Sequence, residues 1–211
     1  MTAPPRTRSR RGEGDRLREE ILLAAESLLI ETASQDAVSI RAVAEAVGVT
    51  APSIYRHFVD KDMLLLEVCR HSFARFADAL GEVLHDGPPE DRLDALGRAY
   101  VRYALDFPEH YRIMFMARFE LSAQEYAEEM VSDESSFGLL LRVTSELIDS
   151  GRLRPELATR GPLHVGILFW STVHGLASLL VAKPGLPWPD RDLLVDDLVT
   201  GALRSFRADP A

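Results

Sequence analysis

With 211 residues, 46% of them apolar, the chain can bury a substantial core in one or two domains and is not disordered as a whole. A net charge of −9 excludes a protein that coats nucleic acid through bulk positive charge, and the single cysteine, Cys69, excludes an internal disulfide framework and a cysteine zinc cluster. The first fifteen residues hold no apolar signal segment, so the expectation is a cytoplasmic protein, with Cys69 a packed helical residue.

Residues 1–14 carry Arg6, Arg8, Arg10 and Arg11 among Pro and Ser without periodicity, which predicts a flexible basic arm. Its arginines either touch DNA phosphates and the minor groove or are simply solvated. A first helix is expected from about Asp15 to Ala33, where Leu17, Ile21, Ala24, Ala25, Leu28 and Leu29 recur at helical spacing. Two short helices hinged on a glycine follow, in the stretch SIRAVAEAVGVTAPSIYRHF, Ser39 to Phe58. Ser39 is placed to cap the first and Gly48 to end it in the left-handed conformation. Thr50 is placed to cap the second, with Pro52 in its first turn, and this helix is expected to reach Phe58. Ile54 and Phe58 point inward at i, i+4, which leaves small and polar residues on the outer face.

GVTAPSIYRHFVDKDMLL resembles the end of the DNA-binding domain of the TetR family of bacterial transcription regulators, through Gly48, Val49, Thr50, Ile54, Tyr55, His57, Phe58, Lys61 and Leu64, preceded by Ala44 and Val47. The resemblance covers roughly residues 16 to 66. It implies a helix-turn-helix domain over residues 15–60 whose base-facing positions are Arg41, Ala51, Pro52 and Ser53, with Arg56 exposed beside them. Thr50, Ser53, Tyr55, His57 and Lys61 match positions that usually hold phosphates. Arg41 has the fork that suits guanine O6 and N7, whereas Ala51 and Pro52 offer only apolar contact, for instance to a thymine methyl.

Asp60 is expected to cap a fourth helix running to about His85, and residues 61–211 to form a second domain. From Lys61 onward 16 Lys and Arg stand against 24 Asp and Glu, so the acidic excess lies in this part. Gly87-Pro88-Pro89 breaks the chain; a helix follows from about Glu90 to Asp106, then the segment EHYRIMFMARF. A helix from about Ser122 to Ser150, interrupted near Ser132 to Ser136, ends at Gly151. Leu163 to Ala182 is free of formal charge and long enough to span a bilayer, but its histidines, hydroxyls and lack of a companion span favour a core or dimer helix, with no membrane. A last amphipathic helix runs from about Asp190 to Arg207.

The WSTVHG of Trp170 to Gly175 and the PEHYRIMF of Pro108 to Phe115 are similar to the C-terminal domain of one TetR subgroup marked by a W-x-x-x-H-G helix. Trp170 and His174 share a helix face, either as a pocket wall with a few directed polar groups or as a satisfied core pair. Phe107, Tyr111, Met114, Phe115, Phe119 and Phe137 face the same choice between core and a cavity for a flexible apolar ligand.

The expected fold class is therefore all-α, a three-helix N-terminal domain followed by a helical bundle for ligand and dimer. The expected function is a repressor that binds a palindromic double-stranded operator as a homodimer, pairs through its last two helices, and is released by a small, largely apolar effector through the fourth helix. Paired catalytic carboxylates, an activated nucleophile, a phosphate loop and a metal-ligand cluster do not stand out, so neither catalysis nor a cofactor is expected. The alternatives are a ligand-independent activator or architectural protein, and a helical carrier or enzyme that retains a reader-like fold.

Overall fold

The computed structural model describes residues 13–116, 130 and 132–208, and its architecture is all-α. In chain order the helices are α1 (Glu13–Thr32), α2 (Ile40–Val47), α3 (Ala51–Ile54), α4 (Lys61–Glu82), α5 (Pro89–Asp106) and α6 (Pro108–Met116). They continue with α7 (Ser136–Asp149), α8 (Pro155–Ala158), α9 (Gly161–Ala182) and α10 (Arg191–Phe206). Among the described residues the only strand-like pairing is one antiparallel bridge between Leu153 and Arg207. Most of the expected arm and Phe119 lie outside the described residues, as does the start of the helix expected from Ser122. Glu13 and Gly14, assigned to the arm, instead form the first turn of α1.

Two compact units share the chain. The N-terminal unit holds the described residues up to Ser72 with those from Arg112 to Met116; the C-terminal unit holds Phe73–Tyr111 and the described residues from Met130 onward. The division thus falls inside α4 rather than ahead of it. The reason is packing: Leu64, Leu65 and Val68 are buried, so the first turns of α4 complete the core formed by Ile21, Ala25 and Leu29 of α1, Val43 of α2, and Ile54 and Phe58.

Local signals build the reader's turns. The Ser39 hydroxyl accepts the Ala42 N–H at 3.1 Å, and Gly48, at φ 74°, turns the chain so that the Val49 N–H donates to the Ala44 carbonyl at 2.9 Å. The Asp60 carboxylate accepts the Met63 N–H at 2.8 Å at the start of α4. Two details depart from the sequence reading. Thr50 occupies the N-cap of α3, yet its hydroxyl caps no backbone group and lies 3.1 Å from the Ser53 hydroxyl. The α-helix also ends at Ile54, because the His57 N–H donates three residues back to Ile54 at 2.9 Å and tightens Tyr55–His57 into a turn.

In the C-terminal unit α5 packs against α7, α9 and α10. Gly97 permits the approach, since a Cβ there would lie 2.7 Å from Cζ of Phe169 on α9 and 3.2 Å from Cγ2 of Val199 on α10. Leu93, Val101, Val143, Val165, Phe169, Leu180 and Val199 fill this core. The buried Glu90 carboxylate accepts from Nη1 of Arg152 at 3.1 and 3.2 Å. Ser135 caps α7 by accepting the Gly138 N–H at 2.8 Å, which places the start of this helix after the expected interruption. By length and composition α9 could cross a membrane; 44% of its most apolar stretch is buried, and the rest is half-buried or exposed.

Candidate nucleic-acid interface

The reading segment is anchored from below and open above. Ile54 is fully buried and Phe58 nearly so, whereas Arg41, Thr50, Pro52, Tyr55 and Arg56 are exposed and Ala51, Ser53, His57 and Lys61 half-buried. Tyr55 stands 54% exposed, and Val59, which sequence reasoning passed over, 81% exposed. The outer surface of α3 is therefore small and polar, with longer basic side chains contributed by Arg41 on α2 and by Arg56 and Lys61 after α3. A helix bearing short residues can approach base edges closely, while hydroxyl, imidazole and ammonium groups beside it suit phosphates.

Under this surface, Nη2 of Arg18 on α1 donates to Oε2 of Glu67 on α4, and the Arg18 guanidinium carbon lies 5.1 Å from the centre of the Phe58 ring. Nη1 of Arg70 donates to the other Glu67 oxygen at 2.7 Å. Burial pushes the Glu67 carboxyl upward, but hydrogen bonds from Arg70 and Arg18 and their charges outweigh it and hold the group below the ordinary carboxylate range. Cys69 is buried, its thiol donating to the Ile113 carbonyl at 3.8 Å.

A second constellation lies within the C-terminal unit. The indole N–H of Trp170 donates to the Tyr100 hydroxyl at 3.2 Å, which lies 2.7 Å from Nδ1 of His174. Oη of Tyr111 is 2.9 Å from the same Nδ1 and 2.9 Å from Oγ of Ser178, and Ser178 lies 3.2 Å from Nε2 of His174. The Phe137 ring meets Trp170 edge-on at 5.6 Å. Burial raises the hydroxyl pKa of Tyr100 and of Tyr111 and lowers that of the His174 imidazole, so all three favour their neutral forms.

Of the residues singled out as ligand-lining, the structure gathers Tyr111, Phe137, Trp170 and His174. Phe107 does not join them: it stands 48% exposed, its ring against those of Tyr103 and His110. Met114 and Phe115 belong to the N-terminal unit, where Met114 is buried. Tyr100 and Ser178 were not singled out as site residues from the sequence, although Ser178, one of the hydroxyls that argue against a membrane span, stands four residues beyond His174 and so on the same face. Among the described residues no three His, Cys, Asp or Glu side chains gather as a metal site.

Two family models match. Residues 21–68 fit the model of bacterial regulatory proteins of the tetR family, and residues 93–205, more than half the chain, fit the tetracyclin repressor-like C-terminal domain. The chain belongs to the TetR family.

Among similar proteins, the HTH-type transcriptional repressor AcnR of Corynebacterium glutamicum is 29% identical over 194 residues, which cover 89% of this chain and 92% of AcnR. The uncharacterized HTH-type transcriptional regulator YobS of Bacillus subtilis is 22% identical over 190 residues, 90% of this chain and 91% of its own. A solved structure of a protein of unknown function from Rhodococcus sp. RHA1 superposes with a TM-score of 0.73 at 26% identity, covering 91% of this chain and 95% of that one. As a TetR-family member the protein is a DNA-binding transcriptional regulator with a helix-turn-helix, and not an enzyme. The C-terminal match spans Tyr100, Tyr111, Trp170 and His174, the network just described.

Proposed function

We propose that this TetR-family regulator is a homodimeric repressor that reads a palindromic operator in the cytoplasm and releases it on binding a small, largely apolar effector. Arg41, Ala51, Pro52 and Ser53 contact bases, with Arg56 beside them. Thr50, Tyr55, His57 and Lys61 hold phosphates, and Ser53 serves both roles. The observation that carries the reading is the exposed, small-residue face of α3 fixed by buried Ile54 and Phe58. One such face contacts few base pairs, so specificity calls for two copies on half-sites about 34–36 Å apart or a multiple of it. The name of AcnR as a repressor supports repression over activation.

Dimerisation draws support from apolar surface that the single chain leaves uncovered. Leu163, Ile167, Leu168 and Leu179 of α9, Leu186 after it, and Leu193 of α10 stand between 39% and 61% exposed. For the effector, Phe137, Trp170, Tyr111 and His174 supply an aromatic wall with a few oriented polar groups. One observation favours a second reading, in which Trp170 and His174 are structural: their polar atoms already have partners in Tyr100, Tyr111 and Ser178.

Selection of bound duplexes from a random pool tests the main reading, followed by protection mapping. An enriched inverted repeat protected on both arms is expected. A single asymmetric half-site bound by monomer overturns the dimeric reader, and an effector screen in which no apolar compound lowers operator affinity removes the release step.

A further inference from the structure

The contact of Arg18 with Phe58 is too specific for a solvated surface charge. Phe58 closes the reading segment: its ring is buried, and its N–H donates to Ile54 at 3.1 Å. A guanidinium lies over that ring, and its direction is set by a carboxylate from α4 rather than by solvent. Glu67 is well suited to set it. Each of its two oxygens takes one arginine, and its side chain is 23% exposed against 41% for Arg18. One acidic residue thus ties three pieces of backbone together, with α1 reached through Arg18, the exit of the reading segment through Phe58, and α4 through Glu67's own position.

We propose that Arg18 and Glu67 are positioning residues for operator reading: Glu67 fixes the Arg18 guanidinium against Phe58 and so holds Ala51–His57 at the angle that the major groove requires. Neither side chain touches DNA in this account, which rests on α2 and α3 being the reading elements. A small rotation of α3 carries Ala51 to Ser53 out of reach of base edges, whose hydrogen bonds tolerate little displacement, whereas the phosphate contact of Lys61, on α4, stays in place. Loss of the clamp therefore costs selectivity before it costs general DNA affinity.

Glu67→Gln gives a test in which the sign of the effect discriminates. Removing a negative charge strengthens DNA binding if Glu67 acts only through the protein's field, and weakens operator binding if it acts by position. The full-length protein, Glu67→Gln and Arg18→Lys are titrated with the selected operator and with a scrambled duplex of equal length across a salt series. Circular dichroism and stoichiometric titration report the folded, active fraction. Arg18→Lys keeps the charge but lacks the planar fork.

The expected result is a roughly tenfold loss of operator affinity in both variants, the scale of one charge-assisted hydrogen bond. Scrambled-duplex affinity and the salt slope should stay unchanged. Operator binding by Glu67→Gln at wild-type strength or tighter overturns the proposal. So does an Arg18→Lys protein that binds as wild type, or one that loses affinity for both duplexes equally. If Glu67→Gln does not fold, Arg18→Lys alone decides by the same criteria. Wild-type protein that enriches no operator sinks the underlying reading, and this inference with it.

Discussion

The Tyr100 hydroxyl of α5 lies 2.7 Å from Nδ1 of His174 in α9, joining two helices that Gly97 and Phe169 also bring close. Burial lowers the His174 pKa from the ordinary 6.5. Between the folded value and 6.5 the unfolded chain binds more protons than the folded one, so this contribution to stability is complete above that window and is lost as pH falls through it. The thermal midpoint of the wild type should therefore drop further on acidification than that of His174→Gln. Histidine NMR titration checks the premise: a His174 midpoint at or above that of the denatured chain contradicts it.

Gly97→Ala should destabilise the C-terminal unit. The new methyl would meet the Phe169 ring at 2.7 Å, well inside van der Waals contact, and overpacking of a dense core costs about 1–3 kcal/mol. Denaturant unfolding measures the loss. Pairing the substitution with Phe169→Leu should recover part of it, and a double variant no better than the sum of the two singles would argue against the contact as the cause.

On DNA, Arg41→Ala and Lys61→Ala should differ in kind. Loss of a bidentate guanine contact costs about 1–3 kcal/mol and relaxes specificity at one operator position. Loss of a phosphate contact weakens binding to all sequences and lowers the salt slope by about 1. Binding titrations on the operator and its single-base variants separate the two, and an Arg41→Ala protein with unchanged base preference would remove Arg41 from the base-reading set.

Leu179→Glu tests the dimer face. The side chain is 54% exposed in the single chain, where a surface change away from special features costs within about 0.5 kcal/mol. If α9 is covered by a second copy, the same change buries a charge there and should shift sedimentation toward monomer with the helical content retained. Sedimentation identical to wild type would show that this part of α9 lies outside the dimer contact.

Features decided by neighbours in sequence were legible from it. Ser39, Gly48 and Asp60 act as cap, left-handed terminator and cap because their bonds reach three to five residues. The apolar stripe of α1 and the inward Ile54 and Phe58 follow from the helical repeat. What depended on distant partners was less visible. Two local features also escaped the sequence reading: the Thr50 hydroxyl meets the Ser53 hydroxyl instead of a backbone N–H, and α8 is too short to show a period. A stripe marks a face but not its neighbours, which is why Phe107 stayed half exposed while Met114 went to the other unit. Likewise the tie between Arg18 and Glu67 joins residues 49 apart and leaves no local pattern.

The bonds around His174 also have a direction. An indole N–H can only donate, so Tyr100 accepts from Trp170, and Nδ1 of His174 has two hydroxyls within reach, those of Tyr100 and Tyr111. In the tautomer where Nδ1 accepts from one of them, the proton of the neutral imidazole sits on Nε2, facing Ser178, whose hydroxyl can pass the sequence to Tyr111 and on to the His174 carbonyl at 3.5 Å. Such a chain is polarised end to end, with its donor head supplied by tryptophan and its tail on a backbone oxygen. Removing the indole N–H, as in Trp170→Phe, would take away the head of that chain and leave the remaining hydroxyl and imidazole protons able to reverse direction together, without any loss of a heavy-atom contact further along.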